Sequence, residues 1–281
     1  MKFDFNIIHK TPYPMPEEII DGLRGDKLVF FIGAGVSRII GCKGWKELAA
    51  NLLNECMIRK YITHLEYEGL KQQNDSKKII TIVHSIFCEH DETLEFIRLL
   101  KGSFECDEKL KKEFDMYSLL NKFEALYVTT NADRNFDNYF APNNLIHTFP
   151  KDTNINKGKL YHIHGMEEHQ DTLVFTVDQY LDRYNSEDFI SFLNNLFEKY
   201  TVVFIGYGLD EYEVLDHLFK SARNKTKEDI KHFFIKAYYS HEKYLLRADQ
   251  QYFNRMGVYV IGYRKDENGF AELYHLYKHS N

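Results

Sequence analysis

Cysteine is scarce in this chain. The four residues Cys42, Cys56, Cys88 and Cys106 form no CxxC pair, so the spacing suggests neither a zinc ribbon nor a disulfide framework. Long apolar runs are missing too. The longest uncharged one, Leu28–Val36, is far too short to span a bilayer. The opening MKFDFNIIHKTPYP places charges and prolines where a secretory leader needs an apolar core, and the expectation is a cytoplasmic protein with no membrane partner. Positive charge is not in excess. Lys and Arg number 36 against 42 Asp and Glu, for a formal net charge of −6, which argues against a broad nucleic-acid-binding face. No internal repeat or low-complexity tract stands out. Three of the five prolines fall within Thr11–Pro16, which reads as an extended lead-in because each Pro disfavours helix just before it.

The 281 residues are 44% hydrophobic and 28% charged, ordinary for a globular domain. The high aromatic share, 15%, points to a core rich in Phe and Tyr. Leu28–Ile32 is a short continuous apolar run, as in a strand buried on both faces. Trp45, Leu48, Ala49, Leu52, Leu53 and Cys56 recur at helical spacing. Helical patterning continues to about residue 121 and predicts a helical insertion between the first two core strands, at about 56–122. ALYVTTN ending at Asn131, KLYHIHG over Lys159–Gly165, LVFT over Leu173–Thr176 and TVVFIGYG over Thr201–Gly208 read as strands. Thr176 with Gln179 fits a capping box for the next helix. HFFIKAYY, a helix near 242–255, VYVIGY and a last helix from Glu267 complete the alternation. The prediction is one α/β domain over 1–281, with a Rossmann-like parallel sheet flanked by helices.

Ligands of open parallel sheets bind beyond the carboxyl ends of the strands. Four such ends carry small or polar residues: Gly33-Ala34-Gly35-Val36-Ser37, Thr129-Thr130-Asn131-Ala132-Asp133, His162-Ile163-His164-Gly165 and Gly206-Tyr207-Gly208-Leu209-Asp210. Gly33 and Gly35 would let backbone N–H groups approach a phosphate at a helix N-terminus. They fit a plain strand-to-helix turn equally well, since Arg38 occupies the third glycine position of the six-residue dinucleotide fingerprint. Asn131 and Asp133 read as helix caps or as site residues. His164 reads as a structural histidine or as a proton carrier. His162, His164 and His169 with Glu167 and Glu168 lack metal-ligand spacing, and no metal is expected.

In this order the four strand ends resemble the sirtuin superfamily, from about Leu28 to Tyr263. GAGVS, TTNAD and HG look like its NAD-binding and catalytic motifs, and GYGLD stands where it places another nucleotide-contacting turn. VFTVDQYLDRY (Val174–Tyr184) and GWKEL (Gly44–Leu48) resemble the bacterial sirtuin-like branch of antiphage defence. Every cysteine precedes His164, so the zinc ribbon of the protein-deacylating sirtuins is missing, as is their PDFR stretch. The resemblance implies an NAD+ glycohydrolase releasing nicotinamide and an ADP-ribose product, with NAD as substrate and no zinc. It implies catalytic roles for His164, as general base, and for Asn131, toward the ribose or attacking water. Gly33, Ala34, Gly35 and Ser37 would hold the pyrophosphate, Asp133 the ribose or nicotinamide, and Gly206, Gly208 and Asp210 the adenosine half. Ser37 would contact phosphate or cap the helix of its loop. Regulation is implied through a homo-oligomer, a separate sensor subunit (an ATPase, an Argonaute-like or a nucleotide-recognising protein), or both. The alternatives are an NAD-dependent protein deacylase and a non-catalytic module that binds NAD or ADP-ribose.

Overall fold

A computed structural model describes residues 3–11, 13–150, 154–209, 211–223 and 232–278. Its centre is Leu28–Ile32, five apolar residues that are all buried. Successive strand side chains point to opposite faces. Val29 and Phe31 therefore enter one core with Val128, Tyr161 and Phe204, while Leu28, Phe30 and Ile32 enter another with Tyr127, Val203 and Ile205. A strand with no wet face needs no polar alternation.

The strands are β1 (Ile8–His9), β2 (Leu28–Ile32), β3 (Leu126–Thr129), β4 (Leu145–Ile146), β5 (Leu160–His162), β6 (Thr201–Ile205), β7 (His232–Tyr238) and β8 (Val258–Arg264). They form one sheet in the order β1-β8-β7-β6-β2-β3-β5-β4, and every pairing is parallel. From β2 the chain builds β3, β4 and β5 on one side, then returns to lay β6 on the other. The order reverses between β2 and β6, and their carboxyl ends mark the crevice where such sheets bind ligands.

Seven helices between Ala34 and Asn121 separate β2 from β3. Leu48, Leu52, Phe87 and Phe96 form a third core there, which also takes in Leu173 and Phe175. Trp45 packs against both this core and the first. Because Leu48–Leu53 belong to it, the packing unit begins at the helix Trp45–Ile58, ahead of the boundary expected near residue 56.

Several local expectations need correction. Leu173–Thr176 is not a strand. Leu173 and Phe175 are buried against the helical insertion and Val174 in the first core, and Val174 N–H makes a single bond to the His164 carbonyl, 3.0 Å. β3 and β5 stop short of Asn131 and His164, which both lie in the turns that follow. The last helix starts at Glu272, after a 3-10 turn over Gly269–Ala271. β1 and β4, two residues each, are too short to leave a periodic signal.

Candidate functional site

At the end of β2, Gly33 precedes the helix Ala34–Ile39. Gly33 N–H donates to the Ile205 carbonyl at 2.9 Å and Gly35 N–H to the Gly206 carbonyl at 2.7 Å. A Cβ on Gly33 would stand 2.5 Å from Tyr207 Cα, and one on Gly35 would stand 2.6 Å from the Gly206 carbonyl oxygen. Gly206 has φ +61°. These glycines thus let the ends of β2 and β6 meet backbone to backbone, and two of the N–H groups expected to face phosphate are engaged within the protein. Ala34 N–H has no acceptor among the described residues. Gly208 is exposed, and Asp210 lies outside the described residues.

Ser37 sits inside that helix and not at its cap. Its hydroxyl is 2.6 Å from Asp133 Oδ2, to which it donates, and 2.6 Å from the Tyr117 phenol. Asn131 closes the cluster. Its Nδ2 lies 3.1 Å from Ser37 Oγ, 3.0 Å from the Tyr117 oxygen and 3.2 Å from the Gly33 carbonyl. Its Oδ1 is buried and has no hydrogen-bond partner among the described residues. Asp133 Oδ1 accepts from the Asn135 backbone and side-chain amides, at 3.0 and 2.8 Å. Burial pushes the Asp133 carboxyl above its ordinary pKa, against the hydrogen bonds from Ser37 and Asn135. Burial, with Asp133 nearby, likewise raises the Tyr117 phenol, so Tyr117 stays a neutral donor.

Thr129 pairs with His162 across β3 and β5, so Asn131 and His164 each lie two residues past paired positions. His162 Nδ1 lies 2.9 Å from the Asn131 carbonyl. A carbonyl can only accept, so Nδ1 carries the proton. Nε2 of the same ring is 3.1 Å from Asp137 Oδ1. His162 thereby fixes the backbone of Asn131 from below.

His164 is only 2% exposed. Its Nε2 is 2.9 Å from the Tyr184 phenol and its Nδ1 is 3.5 Å from the Tyr180 phenol. Both tyrosines come from the helix Val177–Asn185, where four-residue spacing puts them on one face. The Gln179 carboxamide accepts from Phe175 and Thr176 N–H at 2.8 and 3.0 Å, half of the expected capping box. Behind the tyrosines lies Glu211. It accepts from Tyr180 at 3.3 Å, Tyr184 at 3.4 Å and Tyr207 at 2.6 Å, and is 3.8 Å from His164 Nε2. Lys77 Nζ is 3.9 Å from Glu211 and 3.7 Å from the centre of the Tyr180 ring.

The expected residues therefore fall into two buried groups: Ser37, Asn131 and Asp133 around Tyr117, and His164 under Tyr180, Tyr184 and Glu211. The sequence reading did not include Tyr117, Glu211 or Lys77, and it quoted Tyr207 within GYGLD without assigning it a role. Tyr180 and Tyr184 did lie in a quoted motif, at a spacing that announces a shared helix face. A cavity of about 320 Å³ lined by Phe149, Arg183 and Phe189 lies beside Leu173 and Val174; no expected site residue borders it. No group of three or more His, Cys, Asp or Glu among the described residues is placed to hold a metal ion. The Cys42 and Cys56 thiols are pushed up to about 12 and about 11, chiefly by burial, which leaves them inert.

Fold and strand ends together define an α/β protein whose polar residues gather at the carboxyl edge of a parallel sheet. A family model described as a SIR2-like domain matches residues 125–270, and the chain belongs to that family. The matched span contains β3, β5, β6 and β7 with Asn131, Asp133, His164 and Glu211; the Gly33–Ser37 turn lies outside it. The chain is 28% identical over 233 residues to Defense-associated sirtuin 2 of Bacillus subtilis, an alignment covering 78% of this chain and 22% of that protein. The chain thus spans only about a fifth of the length of this curated relative.

Proposed function

We propose that this chain is an NAD+ glycohydrolase, the effector of a bacterial antiphage abortive-infection system that a sensor partner or oligomerisation switches on. The observation that carries the reading is Asn131. Its Nδ2 is occupied by Gly33, Ser37 and Tyr117, while its buried Oδ1 has no partner among the described residues. Such an acceptor suits a ribose hydroxyl or an attacking water, because a buried polar atom left unpaired is costly. Membership of the SIR2-like family and the similarity to Defense-associated sirtuin 2 support NAD as substrate and defence as context.

NAD+ supplies its own leaving group, the cationic nicotinamide, and cleavage of its glycosidic bond develops positive charge on the ribose. Asn131 orients the ribose or the water. His164 takes the proton from a ribose hydroxyl or from water. Asp133 acts through Ser37 and Asn135, which donate to it. Within the Gly33–Ser37 turn, Ala34 N–H is the donor left for pyrophosphate. Gly206 and Gly208 would contact the adenosine half.

Nicotinamide release by the purified chain, and by material co-purified from the native host, tests this reading. Asn131→Ala and His164→Ala should each lose on the order of a hundredfold or more in rate. Rates equal to wild type in both variants would overturn it.

A further inference from the structure

We infer that Glu211 is a positioning residue for His164, acting through Tyr184 and Tyr180, and that it fixes which imidazole nitrogen serves as the base. The inference rests on the glycohydrolase reading for its catalytic meaning, though the geometry stands apart from it.

Glu211 is 8% exposed, and three phenols converge on its carboxylate: Tyr180 on Oε1, Tyr184 and Tyr207 on Oε2. A carboxylate can only accept and a phenol has one proton, so each phenol that donates to Glu211 presents only its oxygen lone pairs elsewhere. Tyr184 Oη is 2.9 Å from His164 Nε2. With their protons directed at Glu211, Tyr184 and Tyr180 both present lone pairs to the imidazole, and the single N–H of the neutral ring goes to the closer contact, Nε2 at 2.9 Å from Tyr184. The lone pair then resides on Nδ1, the nitrogen facing Tyr180 at a looser 3.5 Å. An oriented carboxylate behind a histidine is the general means of fixing tautomer and ring position; here a tyrosine stands between the two.

Among the described residues, the charged and titratable groups facing this histidine include Tyr180 and Tyr184 from the helix Val177–Asn185, Glu211 and Tyr207 from the segment after β6, and Lys77 from the helix Ser76–Glu89. Lys77 partly offsets Glu211 but reaches the carboxylate only at 3.9 Å. Burial and the neighbouring Glu211 push the Tyr207 phenol well above its ordinary pKa, so Tyr207 remains a donor across the working range. A carboxylate 3.8 Å from Nε2 favours the imidazolium, and its removal should lower the pH at which His164 titrates.

The test uses the full chain with ¹⁵N-labelled histidine, followed by NMR across pH. The His164 ring signal is assigned by its loss in His164→Gln. Wild type should show the proton on Nε2 and a bare Nδ1. In Glu211→Gln the titration should move down by about one pH unit and the tautomer preference should weaken, because a carboxamide can donate to Tyr184. Tyr184→Phe keeps the charge and removes the relay, so it should lose the tautomer preference with a smaller titration shift. It also carries the tautomer test if Glu211→Gln fails to fold. In nicotinamide release, the acid limb of kcat should follow the same downward shift in Glu211→Gln, with KM within about twofold of wild type. A proton on Nδ1 in wild type, or an unchanged His164 titration in Glu211→Gln, overturns the proposal even where nicotinamide is released. Absence of nicotinamide release both by the purified chain and by material co-purified from the native host, beside the expected NMR changes, overturns the glycohydrolase reading and leaves the role of Glu211 standing.

Discussion

A methyl group added at Gly35 has nowhere to go. It would stand 2.6 Å from the Gly206 carbonyl oxygen and 2.8 Å from Gly206 Cα, both backbone atoms that move only if two strand ends separate. Gly35→Ala should therefore cost roughly 2–4 kcal/mol, whereas Gly69→Ala, inside the helix His64–Lys71 with nothing within 4 Å, should stabilise by roughly 0.5–1 kcal/mol. Denaturant unfolding of the two variants checks the contrast, and equal losses would remove the packing explanation. Asp133 gives a second residue-scale prediction. Burial raises its folded-state pKa above the unfolded value, near 3.9. The folded state thus holds its proton to higher pH, and this group's contribution to stability is complete below the unfolded value. It is lost as pH rises through the raised folded value. Across that window wild type should gain more stability on acidification than Asp133→Asn; equal pH slopes in urea titrations would contradict it. At this scale the sequence revealed Gly33, Gly35, Asn131 and His164, because small and polar residues directly after an apolar run are conspicuous. It could not reveal why the glycines are needed. Gly206 lies far along the chain from Gly35, and only the β2–β6 pairing brings them together.

The helix Val177–Asn185 brings two phenols onto His164. Its Tyr180 and Tyr184 face the histidine, while Val177 and Leu181, adjoining them along the same side of the helix, are 42% and 56% exposed. Gln179 holds its start by accepting two backbone N–H groups. Gln179→Ala should remove about 1 kcal/mol from this terminus. Amide hydrogen exchange should then speed up over residues 175–184 while β2 and β6 keep wild-type protection; uniform acceleration across the chain would place the effect elsewhere. The helix itself was legible from Thr176 and Gln179, and the stripe Phe189, Phe192, Leu193, Leu196 and Phe197 from its 3.6-residue period, borne out in the buried face of Glu187–Lys199. The segment before it was not. Leu173, Val174 and Phe175 look like a buried strand because they are apolar and buried, but burial of Leu173 and Phe175 against the helical insertion, with Val174 in the first core, leaves the same trace as burial in a sheet. Glu211 was missed for a related reason: the motif ended at Asp210, and a carboxylate shows its role only when three tyrosines from two segments surround it.

At the scale of the molecule, the sheet delivers four strand ends to one edge, where Asn131 and His164 are buried and Gly208 is exposed. The β2 and β6 turns touch backbone to backbone, and His164 lies under two tyrosines that Glu211 and Lys77 hold in place. On the glycohydrolase reading, turnover at His164 would require the helix Val177–Asn185 to withdraw, against the Tyr–Glu hydrogen bonds and the Trp45–Tyr180 contact, 6.4 Å between ring centres. Opening of this kind is a local event whose free energy lies below that of global unfolding. It can limit the rate in place of bond cleavage, which gives a sensor or a second copy of the chain something to act on: whatever stabilises the withdrawn state raises turnover only by its preference for that state. A slowly hydrolysed NAD analogue has the same preference if the reading is right. Its addition should increase exchange of the Val177–Asn185 amides while β3 and β5 stay protected. Binding of the analogue with exchange in that helix unchanged or slowed would mean that the substrate reaches the strand ends by another route, and that the two tyrosines are fixed walls of the site.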